Sequence, residues 1–262
     1  TDRLAGTELR MVHILFSRGC KNNCYYCAAN QDCRVKTIRY RDKRKIVEEL
    51  RWLKERYMID GFSIIDDCFL TEKDKAIEIC NYIAEQKLNL KWSLAARVDS
   101  IDDDILIALQ NAGCIEIKFG VETGSNELLK KMNKGVTVQV SEEAINKTKS
   151  VGINVKIFII TGLPYESDRT HNETKAFLQK MYEKGLIDRI SLLRFAPLAG
   201  SYIYSQPEKF GIKKSCLISD NFNKVSLYRK SYDWWNDRKR FSDCERWYKD
   251  MKAFIDARWG DA

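Results

Sequence analysis

Histidine is nearly absent from this sequence: His13 and His171 are the only two among 262 residues. Neither sits in a second ligand pair, so a zinc site assembled from two separated Cys/His knuckles has little to draw on. Long apolar runs are missing too. No stretch approaches the roughly 20 residues of a membrane-spanning helix, and Thr1 to Glu8 do not make a signal peptide. A cytoplasmic protein without a membrane span is therefore expected. The chain starts at Thr1 without methionine, so a piece of a longer polypeptide with an upstream domain is also an expectation. Charge is not concentrated in one sign: 45 basic and 37 acidic residues are mixed along the chain, for a net +8. Nucleic acid is the less favoured partner, because its binding surfaces gather their cations and interleave them with aromatics. The densest basic stretch, Arg34 to Lys45, either meets an acidic substrate or faces water.

Cysteine, in contrast, is plentiful. Nine cysteines, odd in number and scattered, make a poor disulfide framework and indicate a reducing compartment. Three of them share one loop, Cys20-Lys21-Asn22-Asn23-Cys24-Tyr25-Tyr26-Cys27. Three thiolates can hold three irons of a four-iron, four-sulfur cube and leave the fourth iron open, whereas electron-transfer clusters normally take a fourth cysteine. The competing possibility is a zinc-binding, non-enzymatic scaffold. Of the remainder, Cys80 and Cys114 lie in apolar patterns and read as packing residues. Cys68 stands beside the proposed site, and Cys33, Cys216 and Cys244 offer too little for a second cluster.

Strand and helix patterns alternate six times. Val12 to Phe16, Phe62 to Ile65, Trp92 to Ala96, Ile115 to Phe119, Val155 to Ile160 and Ile190 to Phe195 have strand character. Helical patterns separate them, with starts expected at Asp42, at a Thr71/Asp74 box and at a Thr170/Glu173 box. Such alternation predicts an α/β fold with parallel strands and right-handed crossovers, a partial (β/α)6 TIM-type barrel over residues 1–200. Residues 201–262 read as a mainly helical C-terminal extension that closes the barrel or shapes the substrate site. Its helix is expected to start at a Ser242/Glu245 box, after the aromatic-rich Tyr232 to Trp235.

In such a barrel, chemistry sits at the carboxyl ends of the strands. The cysteines follow strand one, Asp66 and Asp67 end strand two, and Arg97 ends strand three. Glu122 follows strand four, Thr161 and Gly162 end strand five, and Arg194 ends strand six. Each has an ordinary alternative: acidic residues start helices, and an arginine pairs on the surface.

The cysteine spacing, with an aromatic residue just before its last member, resembles the signature of the radical S-adenosylmethionine (SAM) superfamily. The resemblance runs from about Met11 to Pro197. The Phe119-Gly120-Val121-Glu122-Thr123-Gly124-Ser125, Met132-Asn133-Lys134-Gly135 and Thr161-Gly162-Leu163-Pro164 segments look like the branch that often carries a cobalamin-binding domain. It implies Cys20, Cys24 and Cys27 as ligands of a 4Fe–4S cluster, and Tyr26 beside the adenine of SAM. Asp66 and Asp67 would meet the methionine amino group, although the family's usual Gly-Gly-Glu is absent. Arg97 would meet the carboxylate, since guanidinium binds it in a bidentate fork. Glu122 and Ser125 would meet the ribose, with Gly120, Thr161 and Gly162 alongside. Tyr165, Glu166 and Arg194 would hold substrate or pass a proton at the mouth. Cobalamin would need a domain outside this chain.

The implied activity is cleavage of SAM to a 5′-deoxyadenosyl radical that activates an unreactive carbon of a small molecule, with methylation or rearrangement to follow. A reducing partner such as flavodoxin or ferredoxin is implied as well. An RNA-modifying, methylthiotransferase-like enzyme is the alternative.

Overall fold

The computed structural model describes residues 2–4, 7–30, 37–214, 235 and 237–260. A short antiparallel hairpin, β1 (Asp2–Leu4) and β2 (Thr7–Leu9), precedes β3 (Met11–Ile14). Two further residues, β4 (Ser17–Arg18), pair antiparallel with β5 (Arg39–Tyr40). The alternating series follows: α1 (Lys43–Tyr57), β6 (Gly61–Ile64), α2 (Lys73–Glu85), β7 (Lys91–Ala96), α3 (Asp103–Asn111) and β8 (Cys114–Glu122). After α4 (Asn126–Lys131) and α5 (Val138–Ser150) come β9 (Asn154–Thr161), α6 (Asp168–Glu183) and β10 (Arg189–Arg194). The short α7 (Tyr202–Ser205) and the long α8 (Arg238–Trp259) complete the described residues.

Six strands form one parallel sheet in the order β10-β9-β8-β7-β6-β3. The sheet curls into the predicted partial barrel, and its end strands do not pair with each other. Side-chain alternation explains the two faces. Along β9, Val155, Ile157 and Ile159 are fully buried and join Ala144, Ile145, Phe177 and Leu178 of the flanking helices in the main core. Asn154, Lys156, Phe158 and Ile160, on the opposite side of the pleat, face the concave lumen. Trp92 stacks on Phe62 at 5.5 Å and anchors the same core on β7 and β6.

Asp42 caps α1 as expected, accepting from the Arg44 and Lys45 amides at 2.7 and 3.4 Å. Three predicted capping boxes are corrected. Thr71 lies in a 3-10 turn and donates its hydroxyl to the Cys68 carbonyl, so α2 starts without a side-chain cap. Ser167 and Thr170 form the box of α6, and Glu173 instead pairs with Arg169. Asp237 caps α8, which leaves Ser242 and Glu245 inside that helix. In the last two cases a good acceptor several residues upstream reaches the first amides and starts the helix there. Tyr232 to Trp234, Arg34, Lys36, Cys33 and Cys216 lie outside the described residues. Among the described residues, no helix is long and apolar enough to cross a membrane.

Candidate functional site

The cysteine loop hangs from the carboxyl end of β3, and Asp66 fixes its entry. One carboxylate oxygen accepts from the Phe16 amide at 2.8 Å, the other from the Ser17 hydroxyl at 2.5 Å. Asp67 accepts from the Gly19 amide at 3.0 Å. Gly19 has φ +107°, and a Cβ there would stand 2.9 Å from the Thr37 carbonyl oxygen, so the turn admits only glycine.

Beyond this turn Cys20, Cys24 and Cys27 line one cavity of about 200 Å³. Tyr26, Asp67, Arg97, Gly120 and Glu122 line it too. Eight of the residues singled out from the sequence therefore meet at one place. A hydrogen bond with Cys68 lowers the Cys20 thiol to about 5 against the opposing effect of burial. The same bond and its own burial push Cys68 up, and burial raises Cys27. Arg97 donates to Cys24 Sγ at 3.4 Å, to Asp99 at 2.9 and 2.7 Å, and to the Lys134 carbonyl at 2.8 Å. Burial opposes the Arg97 charge, but the pair with Asp99 outweighs it and holds the guanidinium protonated.

Lys134 is the residue that sequence reasoning missed. Its ammonium is 3.0 Å from Glu122 Oε1, both side chains are buried, and it lies over the Tyr26 ring. A β-carbon on Gly120 would fall 2.5 Å from that Glu122 oxygen, so the glycine leaves room for the ion pair. The signal for Lys134 lies in the Met132-Asn133-Lys134-Gly135 segment, where a lysine stands at a turn close in sequence to Glu122. Lys118 and Phe158 complete this side of the cavity.

Seven other candidates are occupied elsewhere. Asp66 has both oxygens committed to the loop entry. Ser125 donates to Glu173, and the Thr161 hydroxyl donates to the Leu193 carbonyl at 3.4 Å. Glu166 braces the β9–α6 turn by accepting from the Gly162 and Leu163 amides at 2.5 and 3.1 Å. Tyr165 is exposed and donates to the Lys209 carbonyl at 3.2 Å. Arg194 stacks over Tyr248 at 3.4 Å and reaches Glu245. None of the seven lines the cavity with the thiols. Cys68 is buried against Cys20 and likewise lines no part of it.

Among the described residues, no three Cys, His, Asp or Glu side chains converge on a point suited to one metal ion. A cube needs no such convergence, because each thiolate takes its own iron. Three thiols on one loop, one already acidic, suit that group. Tyr26, whose hydroxyl is buried, lines the same cavity as the thiols, which leaves space there for a second molecule.

A parallel partial barrel with a three-thiol loop over a cavity at its carboxyl end defines a cluster-bearing α/β enzyme core. The family model of the radical SAM superfamily matches residues 14–178, and the chain belongs to that superfamily. Membership brings the 4Fe–4S cluster and SAM as cofactors. An uncharacterized methyltransferase of Pyrococcus horikoshii is 28% identical over 213 residues, 81% of this chain and 44% of that protein. The cytidylyl-2-hydroxyethylphosphonate methyltransferase of Streptomyces wedmorensis is 25% identical over 85% of this chain and 41% of its own length. The chain thus spans less than half the length of these relatives. Among solved structures, the cobalamin-dependent SAM radical enzyme OxsB superposes with a TM-score of 0.69 at 19% identity, over 89% of this chain and 40% of that one. At this identity the likeness is one of fold.

Proposed function

We propose that the chain is the core of an enzyme that activates an unreactive carbon of a small molecule, with methyl transfer or rearrangement as the outcome. The observation that carries this is the meeting of Cys20, Cys24 and Cys27 in one cavity with Tyr26, Arg97 and Glu122. When bound, the cluster and SAM together supply a 5′-deoxyadenosyl radical. The chain's own residues position and exclude. Arg97, already braced by Asp99, offers its guanidinium to the methionine carboxylate, with Asp67 near the amino group. Glu122 keeps one oxygen on Lys134 and turns the other to the ribose hydroxyls. The Tyr26 ring, which lines the cavity, would lie beside the adenine. Asp66, Ser125, Thr161, Gly162 and Glu166 hold the strand ends in place. Residues 1–200 form the catalytic barrel in this proposal, and residues 201–262 an extension that closes the barrel or shapes the substrate site. A cytoplasmic location and a flavodoxin- or ferredoxin-type donor accompany it, and cobalamin would come with a domain outside this chain.

The test is anaerobic reconstitution with iron and sulfide, reduction, addition of SAM, and chromatographic measurement of 5′-deoxyadenosine beside a Cys24→Ala control. Product from the intact protein alone is expected. A reconstituted four-iron cluster that binds SAM without ever cleaving it would overturn the proposal, as would equal product from the variant.

A further inference from the structure

Two of the three loop thiols accept a side-chain N–H, and the two donors differ in kind. Asn22 reaches Cys20 Sγ at 3.5 Å from within the loop itself. Arg97 reaches Cys24 Sγ at 3.4 Å from the end of β7, 73 residues away in the chain. The first donor is neutral and belongs to the loop's own turn. The second is a cation that the barrel brings to the sulfur.

A guanidinium carries five N–H groups in one rigid plane. Nε of Arg97 donates to Asp99 Oδ1 at 2.9 Å, and Nη2 donates to Asp99 Oδ2 at 2.7 Å and to the Lys134 carbonyl at 2.8 Å. These three bonds set the plane, so the direction of Nη1 is settled before any ligand arrives. Nη1 gives one of its two hydrogens to Cys24. Cys24 is 7% and Arg97 9% exposed, so salt and water screen this contact little.

We infer that Arg97 tunes the reduction potential of the cluster through its N–H···S bond to Cys24. A sulfur that ligates iron keeps lone pairs, and hydrogen bonds to ligand sulfurs are among the determinants of cluster potential. Reduction adds an electron and raises the negative charge on the thiolates. A charged donor held against one of them favours that state, and the potential rises. Arg97 thus acts through Cys24, as a positioning residue. Only the second hydrogen on Nη1 is left for the methionine carboxylate, so that contact is single and not a bidentate fork. This last point rests on the function proposed above, whereas the bond to Cys24 does not.

The experiment is potentiometric titration of the reconstituted cluster without SAM, followed by electron paramagnetic resonance, in wild type, Arg97→Met, Arg97→Lys and Lys184→Met. Lys184 is an exposed cation at the far end of α6. The midpoint potential of Arg97→Met should fall by about 59 mV or more, a tenfold change in the equilibrium of a one-electron couple. Arg97→Lys, which keeps the charge but not the rigid plane, should recover part of that fall, and Lys184→Met should match wild type. A second measurement needs no variant: wild type made with arginine isotopically labelled at the guanidinium nitrogens should show, once reduced, a nitrogen coupling to the cluster spin by pulsed resonance. An unmoved potential in Arg97→Met, an equal fall in Lys184→Met, or the absence of that coupling overturns the inference. If Arg97→Met takes up no cluster, the coupling decides. Production of 5′-deoxyadenosine by an enzyme whose potential ignores Arg97 would sink this inference alone. A potential that follows Arg97 in a protein that never cleaves SAM would sink the proposed function alone.

Discussion

Glu122 is a non-glycine residue at φ +68°, in the left-handed region, and it is buried against a buried lysine. Such a backbone costs on the order of 1–3 kcal/mol and persists only where its surroundings over-determine it. Here the Lys134 ammonium fixes the carboxylate, and Lys134 is itself held because its carbonyl accepts from Arg97. Removing one partner leaves the other charge buried and alone. Glu122→Gln should therefore lower stability by about 3 kcal/mol. The double change Glu122→Gln with Lys134→Met should recover most of it. Denaturant titration of wild type, Glu122→Gln, Lys134→Met and the double variant checks this, and additive losses would show that the two groups are not coupled.

At the scale of elements, α6 and α8 are clasped by His171. Its Nε2 is 2.7 Å from Asp250 and its ring stacks on Trp247, while Nδ1 stands 3.7 Å from Glu166 without a hydrogen-bond partner. Lys175 shares Asp250 at 2.9 Å. Burial opposes protonation of His171, but Glu166 and Asp250 outweigh it and raise its pKa above 6.5. A raised folded-state value means that the stabilisation is fully present below the unfolded pKa and is lost as pH rises through the folded one. Stability should therefore fall as pH rises above about 6.5, the ordinary histidine value, and His171→Gln should flatten that fall. Equal slopes in the two proteins would remove His171 from the clasp.

This clasp was not legible in the sequence, where His171 and Asp250 lie 79 residues apart in chain order. The alternation of strands was legible, because period-two burial is written locally in segments such as Val155 to Ile160. Residues within one short loop or at a strand end, such as Cys20, Cys24, Arg97 and Glu122, could also be placed by the barrel rule. That rule names an end and not a direction. Arg194 and Glu166 occupy correct ends but turn away from the cavity, because Glu245 on α8 accepts from the arginine and the Gly162 and Leu163 amides donate to the glutamate.

At the scale of the whole molecule, two apolar cores form among the described residues, and α8 enters both. Met251 and Ile255 pack into the main core, while Cys244 and Trp247 join Leu163, Phe195 and Trp235 in the smaller one. Trp247 is 2% exposed and donates its indole N–H to Asp168 at 2.6 Å. Trp247→Ala should cost about 3 kcal/mol or more and lower the melting temperature, while a variant that melts with wild type would show that the smaller core adds nothing.

The two ends of the six-stranded sheet, β3 and β10, never meet. A closed barrel has its girth set by strand number and stagger. This wall has no such hoop: it can tighten or spread without losing a ladder hydrogen bond, and whatever stands in the gap sets the calibre of the lumen. On the proposed function, the size of molecule admitted is thus decided at a seam distant in sequence from the cysteines, so the same cysteine loop can serve guests of different width.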